Sequence, residues 1–289
     1  MVIRPIVALA ALVILLLTGP VLAEESASRE DSATEINKKL SNPVSSIWAL
    51  QLQSNNYMLN VPSPNADRWS NVVNFQPVLP VPLTKDWNLV TRPVFTLLDA
   101  QPAPQSNGHI RTYVGFGDTI VASLLSPSDS GHWLLGVGPS FIFPTASHDQ
   151  TGQGKVSAGP AGVLGYLGEH WIAFLFPQQW FSFAGTGSRA TVSQMNLQYG
   201  FNYFLPDGWA IGTTPNVLID WRADGGQQVT LPIGPTLSKV VKLGRLPVKL
   251  QLAGQYMPIH PDEFGQKVNL QVTITPVIPR LIEEPLFGG

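Results

Sequence analysis

Serine and histidine in close proximity are the first residues of this chain that could do chemistry. In an extended strand, residues two positions apart point to the same side, so a serine there can lie within hydrogen-bond reach of an activating histidine. Of the five histidines, only His132 has a serine two positions away, Ser130. That pair falls in a predicted turn, and the neighbours Ser147 and His148 would point apart in a strand. We therefore expect no enzymatic activity, with lipid hydrolysis as the weakest functional alternative.

Acidic residues beside histidines are the second candidate for chemistry. His148 is followed by Asp149, and His260 is followed by Asp262 and Glu263. Protein metal sites need several converging ligands, so two or three loosely spaced ones in loops are a weak signal. The chain also has no cysteine, which excludes thiolate ligands. We predict neither a metal site nor a cofactor.

Alternating polar residues indicate a different function, the selection of a solute inside a pore. In residues 192–205 polar and apolar side chains alternate, and the same alternation recurs at 48–53, 248–256 and 268–274. Successive side chains of a strand point to opposite faces, so each segment is predicted to be a strand with one apolar and one polar side. The candidates for lining a lumen are Arg92, Gln194, Asn196, Gln198, Asp220, Lys249, Gln251 and Gln255.

Composition indicates what the apolar sides face. Charged residues make up 12% of the chain and the net charge is -2, whereas ordinary globular proteins carry roughly 25% charged residues. Much of the surface is therefore expected to face something other than water, and no basic patch indicates nucleic acid. A β-barrel presents lipid with every second residue of each strand, which explains both the alternation and the low charge.

The N-terminus predicts export. Arg4 precedes an apolar run that ends before Gly19, and the small-residue ending reaches Ala23. This is the pattern of a secretory signal peptide, residues 1–23, cleaved after Ala23. The run is shorter than the roughly 20 apolar residues that a spanning helix needs.

The segment that follows the signal peptide is polar. Residues 24–46 are predicted to be a flexible periplasmic leader, in which the spacing of Ala33, Ile36, Leu40 and Val44 allows a short amphipathic helix. Residues 47–289 are predicted to form a single barrel domain.

Connections between the predicted strands alternate between short turns and longer loops. This pattern gives about twelve antiparallel strands with both termini in the periplasm, short periplasmic turns and longer external loops. The predicted fold is therefore an all-β transmembrane antiparallel barrel. One feature does not fit regular strands, because proline cannot donate to the ladder. The prolines that fall inside predicted strands are Pro77, Pro80, Pro93, Pro139, Pro177, Pro215, Pro232 and Pro235.

Tryptophans recur close to the predicted strand ends. In membrane barrels such residues form aromatic girdles at the two lipid–water interfaces. The interface candidates are Trp87, Trp133, Trp171, Trp180, Trp209 and Trp221.

The sequence GFGD at 115–118 places a carboxylate in a predicted strand. Asp118 shares its face with Phe116 and Ile120, so strict alternation would direct it towards lipid. A bulge at Gly115 or Gly117 would turn it inward, and a position in the headgroup region is the other solution. In both cases we expect a structural role.

Four stretches resemble a known family: NPVSSIWALQLQSNN at 42–56, VVNFQPVLPVPLTKDWNLVTRPVF at 72–95, GFGD at 115–118 and VNLQVTITPVIP from Val268. They are similar to bacterial outer-membrane barrels labelled transporters of the meta pathway of phenol degradation, some of which are misnamed neuromedin U. The resemblance implies a channel fold without catalytic residues. Its label implies hydrophobic or aromatic solutes.

Together these features predict a channel or transporter in the outer membrane of a Gram-negative bacterium, which passes small molecules through a polar lumen. The alternative is a structural or adhesion barrel without transport. The expected partners are outer-membrane lipid, the barrel insertion machinery and an unidentified small solute.

The export prediction has a direct test. The mature protein should be recovered from the outer-membrane fraction only with detergent, and N-terminal sequencing should begin at Glu24. Extraction without detergent would instead favour a soluble exported sandwich.

Overall fold

The computed structural model describes residues 26–61, 68–105, 107 and 109–287. The described residues form one helix, α1 (Ser26–Ser41), a short 3-10 turn (Pro206–Gly208) and fifteen strand segments. No helix in these ranges is long and apolar enough to cross a membrane. The segments are β1 (Trp48–Leu59), β2 (Arg68–Pro82), β3 (Trp87–Pro104), β4 (Ile110–Gly115), β5 (Thr119–Pro127), β6 (Trp133–Phe143), β7 (Lys155–Leu167), β8 (Trp171–Gly185), β9 (Ser193–Phe204), β10 (Trp209–Thr213), β11 (Asn216–Asp220), β12 (Val229–Ile233), β13 (Thr236–Leu243), β14 (Leu246–Ile259) and β15 (Gln266–Ile278).

The segments form one closed barrel. Neighbours pair antiparallel throughout, and β1 pairs with β15 from Trp48↔Ile278 to Leu59↔Gln266, which closes the sheet. Three strands of the barrel are each split into two segments that pair with the same neighbour. Segments β4 and β5 both pair with β3, segments β10 and β11 both pair with β9, and segments β12 and β13 both pair with β14. The result is a barrel of twelve antiparallel strands, which confirms the predicted fold class.

The two ends of the barrel differ in the length of the connections between strands. At the short-turn end lie the connections 83–86, 128–132, 168–170, 205–208 and 244–245, together with the start of β1 and the end of β15. At the long-loop end lie 60–61, 105, 107, 109, 144–154, 186–192, 221–228 and 260–265.

The barrel wall accommodates prolines, which cannot donate to the ladder, at strand breaks and beside glycines. Pro215 and Pro235 lie in the breaks of two split strands, where no N–H is required of them, and their carbonyl oxygens still accept the N–H groups of Tyr199 and Gly254 at 3.2 Å. Pro139 pairs directly with Pro160 across β6 and β7, and each of these prolines follows a glycine. A Cβ atom at Gly159 would overlap the carbonyl oxygen of Gln179, so the backbone there approaches β8 more closely than other residues permit.

The apolar core lies inside the barrel, in its short-turn half. Inward-facing side chains of β5–β10 form one cluster there, which Val44 of the leader joins. Strands β5–β8 are therefore apolar on both faces, which departs from the expected polar inner side. The cluster consists of Ala122, Leu124, Leu134, Ala161, Val163, Ile172, Phe174, Phe176, Phe204 and Ala210.

The close approach at Gly159 predicts a folding defect. Gly159→Ala should lower the free energy of unfolding by about 1–3 kcal/mol, the usual effect of overpacking, because β7 must move away from β8. Heat-modifiable migration on gels and urea midpoints measure this loss. Gly254→Ala in β14 is the matched control, because nothing lies within 4 Å of its added Cβ. Equal stability of both variants would contradict the packing argument.

Candidate functional site

The leader lies inside the barrel rather than free in solution. Helix α1 contacts β8, β9, β10, β13 and β14, and the chain then runs through Pro43 and Val44 into β1. We expected a flexible segment with an apolar helical stripe. The fully or nearly fully buried side chains of the helix are instead polar, Asn37 and Ser41, which lie four residues apart. This spacing places Asn37 and Ser41 on one face of the helix.

Asn37 anchors the helix to the wall. Its side chain is fully buried and donates to the carbonyl oxygen of Gly208 at 2.8 Å and to Ser238 Oγ at 3.3 Å. One turn earlier, Thr34 Oγ1 donates to the Leu205 carbonyl and accepts from the Gly208 N–H, both at 3.2 Å. The helix is thus fixed to the turn that joins β9 and β10.

Two cations predicted to line the lumen hold the end of the leader. Lys249 Nζ donates to Ser41 Oγ at 2.8 Å, and Arg92 Nη1 donates to the Pro43 carbonyl oxygen at 2.7 Å. The Arg92 guanidinium also lies 5.7 Å from the ring centre of Phe176. Because the C-terminus of a helix carries partial negative charge, a lysine beside it is stabilising. Both cations thus hold the leader in place.

A cavity of about 270 Å³ lies inside the barrel. Residues 40–43 of the leader form part of its lining, together with inward-facing side chains of the wall. Among the described residues that line it, Arg92 and Lys249 are the only charged ones, and most of the others carry neutral amides. The lumen is therefore polar but nearly uncharged.

Most predicted lumen residues lie at this cavity. Asn196, Gln198, Gln251 and Gln255 are part of its lining, as are the two cations. Gln194 lies at the start of β9, outside the lining, and accepts a hydrogen bond from Gln153 Nε2 at 2.7 Å.

Asp220 does not line the cavity, contrary to our prediction. It is exposed at the last position of β11, and its Oδ1 accepts the backbone N–H of Arg222 at 2.9 Å. The carboxylate thus stabilises the start of a loop, because β11 ends too early to place it in the lumen.

The sequence analysis missed an amide network on the wall formed by β1, β2 and β15. Asn55 Oδ1 accepts from Gln53 Nε2 at 3.2 Å, Asn269 Nδ2 at 3.2 Å and Gln271 Nε2 at 2.9 Å. Gln53 in turn accepts from Gln51 and Gln76. The alternation of glutamine and asparagine in β1 and β15 was the available signal.

Asp118 organises the longest loop at the long-loop end. The GFGD segment interrupts the strand between β4 and β5, and the carboxylate turns towards residues 144–154. Its Oδ1 accepts the Ala146 N–H at 3.2 Å, and its Oδ2 accepts the Gln153 N–H at 2.7 Å. The structural role expected for Asp118 is therefore the fixing of a loop.

Arg189 holds the same loop from the other side. Its Nη2 donates to the Asp149 carbonyl at 2.7 Å and to the Gly152 carbonyl, and its Nε donates to the Gln153 carbonyl at 3.2 Å. Gln153 is thereby positioned so that its side chain reaches Gln194. One carboxylate and one guanidinium thus hold the loop from two sides.

The serine and histidine candidates form no catalytic pair. Ser130 Oγ donates to the Trp133 carbonyl at 2.6 Å, while the His132 ring contacts the Leu167 carbonyl at 2.9 Å. Ser147 Oγ accepts the Phe116 N–H at 2.9 Å. These side chains stabilise turns and loops.

The acidic residues beside histidines also have structural partners. Asp262 binds Gln227 twice, with its carboxylate accepting at 2.7 Å and its N–H donating at 2.6 Å. This contact joins two loops at the long-loop end. Within the described ranges, no three histidine or acidic side chains form a group that could hold a metal ion.

The predicted interface tryptophans divide into two groups. Trp87, Trp133, Trp171 and Trp209 each begin a strand at the short-turn end. Trp221 directly follows β11 at the long-loop end and is 48% exposed.

Trp180 does not belong to a girdle, contrary to our prediction. It is only 2% exposed, lines the cavity and donates to Ser140 Oγ at 3.0 Å. Alternation along β8 places it on the inward face, whereas its neighbour Phe181 is 53% exposed.

Comparison with solved structures supports the architecture. The chain is similar to the crystal structure of an outer-membrane channel from Pseudomonas putida F1, with a TM-score of 0.59 and 16% identity over 82% of this chain and 98% of that one. Lower similarity is found to a bacterial polysaccharide outer-membrane secretin (TM-score 0.37, 11% identity, 80% and 98% covered). A third match is the outer-membrane protein OmpT of Vibrio cholerae lacking loop L8 (TM-score 0.28, 9% identity, 79% and 98% covered).

No family model and no curated protein matches the sequence. At this level of identity, the first similarity establishes the fold, an outer-membrane β-barrel.

The Asp118 contacts predict the behaviour of the 144–154 loop. Asp118→Ala removes two charge-assisted hydrogen bonds, each worth about 1.5–3 kcal/mol, and should increase hydrogen exchange of the loop amides at least about tenfold. Exchange measured by mass spectrometry tests this. Asp129→Ala, in a turn at the opposite end, is the control. Unchanged exchange in the Asp118 variant would show that the carboxylate does not fix the loop.

Proposed function

We propose that this protein is an outer-membrane channel for small molecules, whose lumen is closed at the periplasmic end by its own leader. The observation that carries the proposal is the polar cavity inside a closed barrel, with residues 40–43 of the leader in its lining. A barrel that served only as a structural anchor would not need such a cavity. The similarity to an outer-membrane channel from Pseudomonas putida F1 supports the same conclusion.

The orientation follows from the pattern of connections. Outer-membrane barrels have short turns and chain termini in the periplasm and longer loops outside. In that orientation the leader enters from the periplasm, and a solute from outside would meet the 144–154 loop before it reaches the leader. Signal-peptide cleavage after Ala23 and assembly by the barrel insertion machinery belong to the same proposal.

The resemblance to the meta-pathway barrels extends this proposal to a family and to solutes. The stretches at 42–56 and 72–95 support membership in that family through their sequence resemblance. They form the leader end, β1, β2 and the start of β3. The hydrophobic or aromatic solutes that the family label implies are a separate proposal, which needs direct tests with such compounds.

Leader docking predicts a closed state that can be opened by removing its anchors. Asn37→Ala combined with Ser41→Ala eliminates three buried contacts, to Gly208, Ser238 and Lys249. At about 1 kcal/mol for each net hydrogen bond, the equilibrium should shift towards an undocked leader by roughly a hundredfold.

Planar-bilayer recording of the full mature chain measures this shift. The double variant should show a higher open probability and larger conductance steps than the unmodified protein. Lys39→Ala, which changes an exposed position of the same helix, is the control. If the double variant folds but remains as silent as the unmodified protein, the channel proposal fails.

A further inference from the structure

Two positive charges face the cavity without a negative charge to balance them. Arg92 and Lys249 line it, and no aspartate or glutamate stands among the described residues of the lining. Lys249 is only 7% exposed. A cation enclosed in a protein interior is destabilising unless an opposite charge or several hydrogen bonds compensate for it. The lumen therefore favours an anion over a cation or a neutral molecule.

The leader compensates for these charges only in part. Lys249 Nζ donates to the Ser41 hydroxyl at 2.8 Å, and Arg92 Nη1 donates to the Pro43 carbonyl oxygen at 2.7 Å. Both acceptors are neutral, although the end of α1 adds a partial negative charge beside Lys249. Hydrogen bonds to an ionised acceptor are roughly twice as strong as those to a neutral one. A carboxylate would therefore be a better partner for either cation than the leader oxygen that it replaces.

The two acceptors on the leader lie close together. Ser41 and Pro43 are two positions apart, so their Cα atoms are separated by at most about 7 Å. The cations that bind them come from two different strands, β3 and β14, and meet the same short segment. A small molecule placed where residues 41–43 lie can thus contact both cations.

Beside Arg92 the lining is apolar. Val94 and Ile120 pair directly across β3 and β5, and both line the cavity and are half-buried. Val94 follows Arg92 by two positions, so both point inward, about 7 Å apart along the strand. Because β3 runs from the short-turn end to the long-loop end, Val94 lies on the long-loop side of Arg92. A molecule entering from the long-loop end meets apolar side chains first and a cation next.

We propose that Arg92 and Lys249 form a binding site for a small organic monocarboxylate with an apolar body. Its carboxylate takes the place of the Ser41 hydroxyl and the Pro43 carbonyl, and its body lies against Val94. The cavity of about 270 Å³ is close to the lower end of small-molecule pockets, which start at about 300 Å³. This inference rests on the proposed channel function and names its solute class.

Solute binding and leader docking then compete for the same two cations. By thermodynamic linkage, a ligand that replaces the leader contacts weakens docking by the same factor by which the docked leader weakens the ligand. The solute itself thus releases residues 41–43, while the contacts of Asn37 to Gly208 and Ser238 remain. The seal is loosened at the side from which the solute arrives.

Fluorine NMR tests the site without requiring conduction. The probes are 4-fluorobenzoate and 4-fluorobenzyl alcohol, with hexanoate as a competitor, on the full mature chain in a non-ionic detergent. Empty micelles give the baseline for partitioning into detergent. The benzoate should bind saturably, hexanoate should displace it, and the alcohol should bind at least about tenfold more weakly. Equal binding of the alcohol, or no saturable binding of the benzoate, would overturn the proposal.

Charge-removing variants locate the site. Arg92→Gln and Lys249→Met should each weaken 4-fluorobenzoate binding at least about tenfold, the effect of losing one hydrogen bond between charged groups. Arg92→Lys, which keeps the charge, should retain most of the affinity. Heat-modifiable migration on gels shows that each variant is folded. Lys242→Met, at an exposed position of β13 near the short-turn end, is the matched control. Unchanged affinity in folded Arg92→Gln and Lys249→Met proteins would overturn the assignment.

Hydrogen exchange measured by mass spectrometry tests the competition with the leader. Saturating 4-fluorobenzoate should raise the exchange of amides in residues 41–46 at least about fivefold, because local opening there becomes easier. The alcohol at the same concentration should leave this exchange unchanged. Saturable benzoate binding without faster exchange would overturn the competition.

The two proposals can fail separately. Saturable carboxylate binding combined with silent bilayers would retain the site and reject the channel. Conduction without carboxylate binding would retain the channel and reject the site.

Discussion

Closure of the sheet by β1 and β15 is the constraint on which the rest of this structure depends. Within a membrane, backbone N–H and C=O groups find no water, so a sheet is stable there only when it has no free edge. Pairing of Trp48–Leu59 with Gln266–Ile278 removes both edges. Once the barrel is closed, alternation along each strand assigns every second side chain to the interior, and function depends on what those side chains are.

The interior is divided between packing and recognition. In the short-turn half, apolar residues of β5–β10 pack around Val44, and α1 lies against β9 and β13. Beyond the leader, the same barrel encloses an amide-lined cavity. Two cations, Arg92 and Lys249, join these regions, because they share the cavity lining while they bind the leader. Leader position and the charge available inside the lumen are therefore coupled.

The sequence predicted the barrel well because alternation in β1, β9, β14 and β15 is regular. It predicted β5–β8 less well, since small and apolar residues occupy both faces there and conceal which one is inside. Trp180 was misplaced for this reason. Asp220 was misplaced because the alternation of side chains along a strand does not show where the strand ends.

The docking position of the leader was left open by the sequence for a different physical reason. The usual sequence signal of a docking helix is an apolar stripe, such as Ala33, Ile36 and Leu40, because helices usually dock on apolar cores. Here the polar residues Asn37 and Ser41 bind the turn before β10 and the wall at β13 and β14, while Val44 packs on the apolar cluster. The position of loop 144–154 was equally hidden, because it depends on Asp118 and Arg189, which are far apart in the chain.

The contacts of the leader also have a consequence for assembly. Asn37 binds residues 171 and 201 positions later in the chain, and Ser41 binds a residue 208 positions later. These partners lie late in the chain, so the docking surface of the leader exists only after those strands have formed. Any barrel that stalls before β14 is in place lacks part of that surface. Docking of the leader thus requires a barrel that is complete as far as β14.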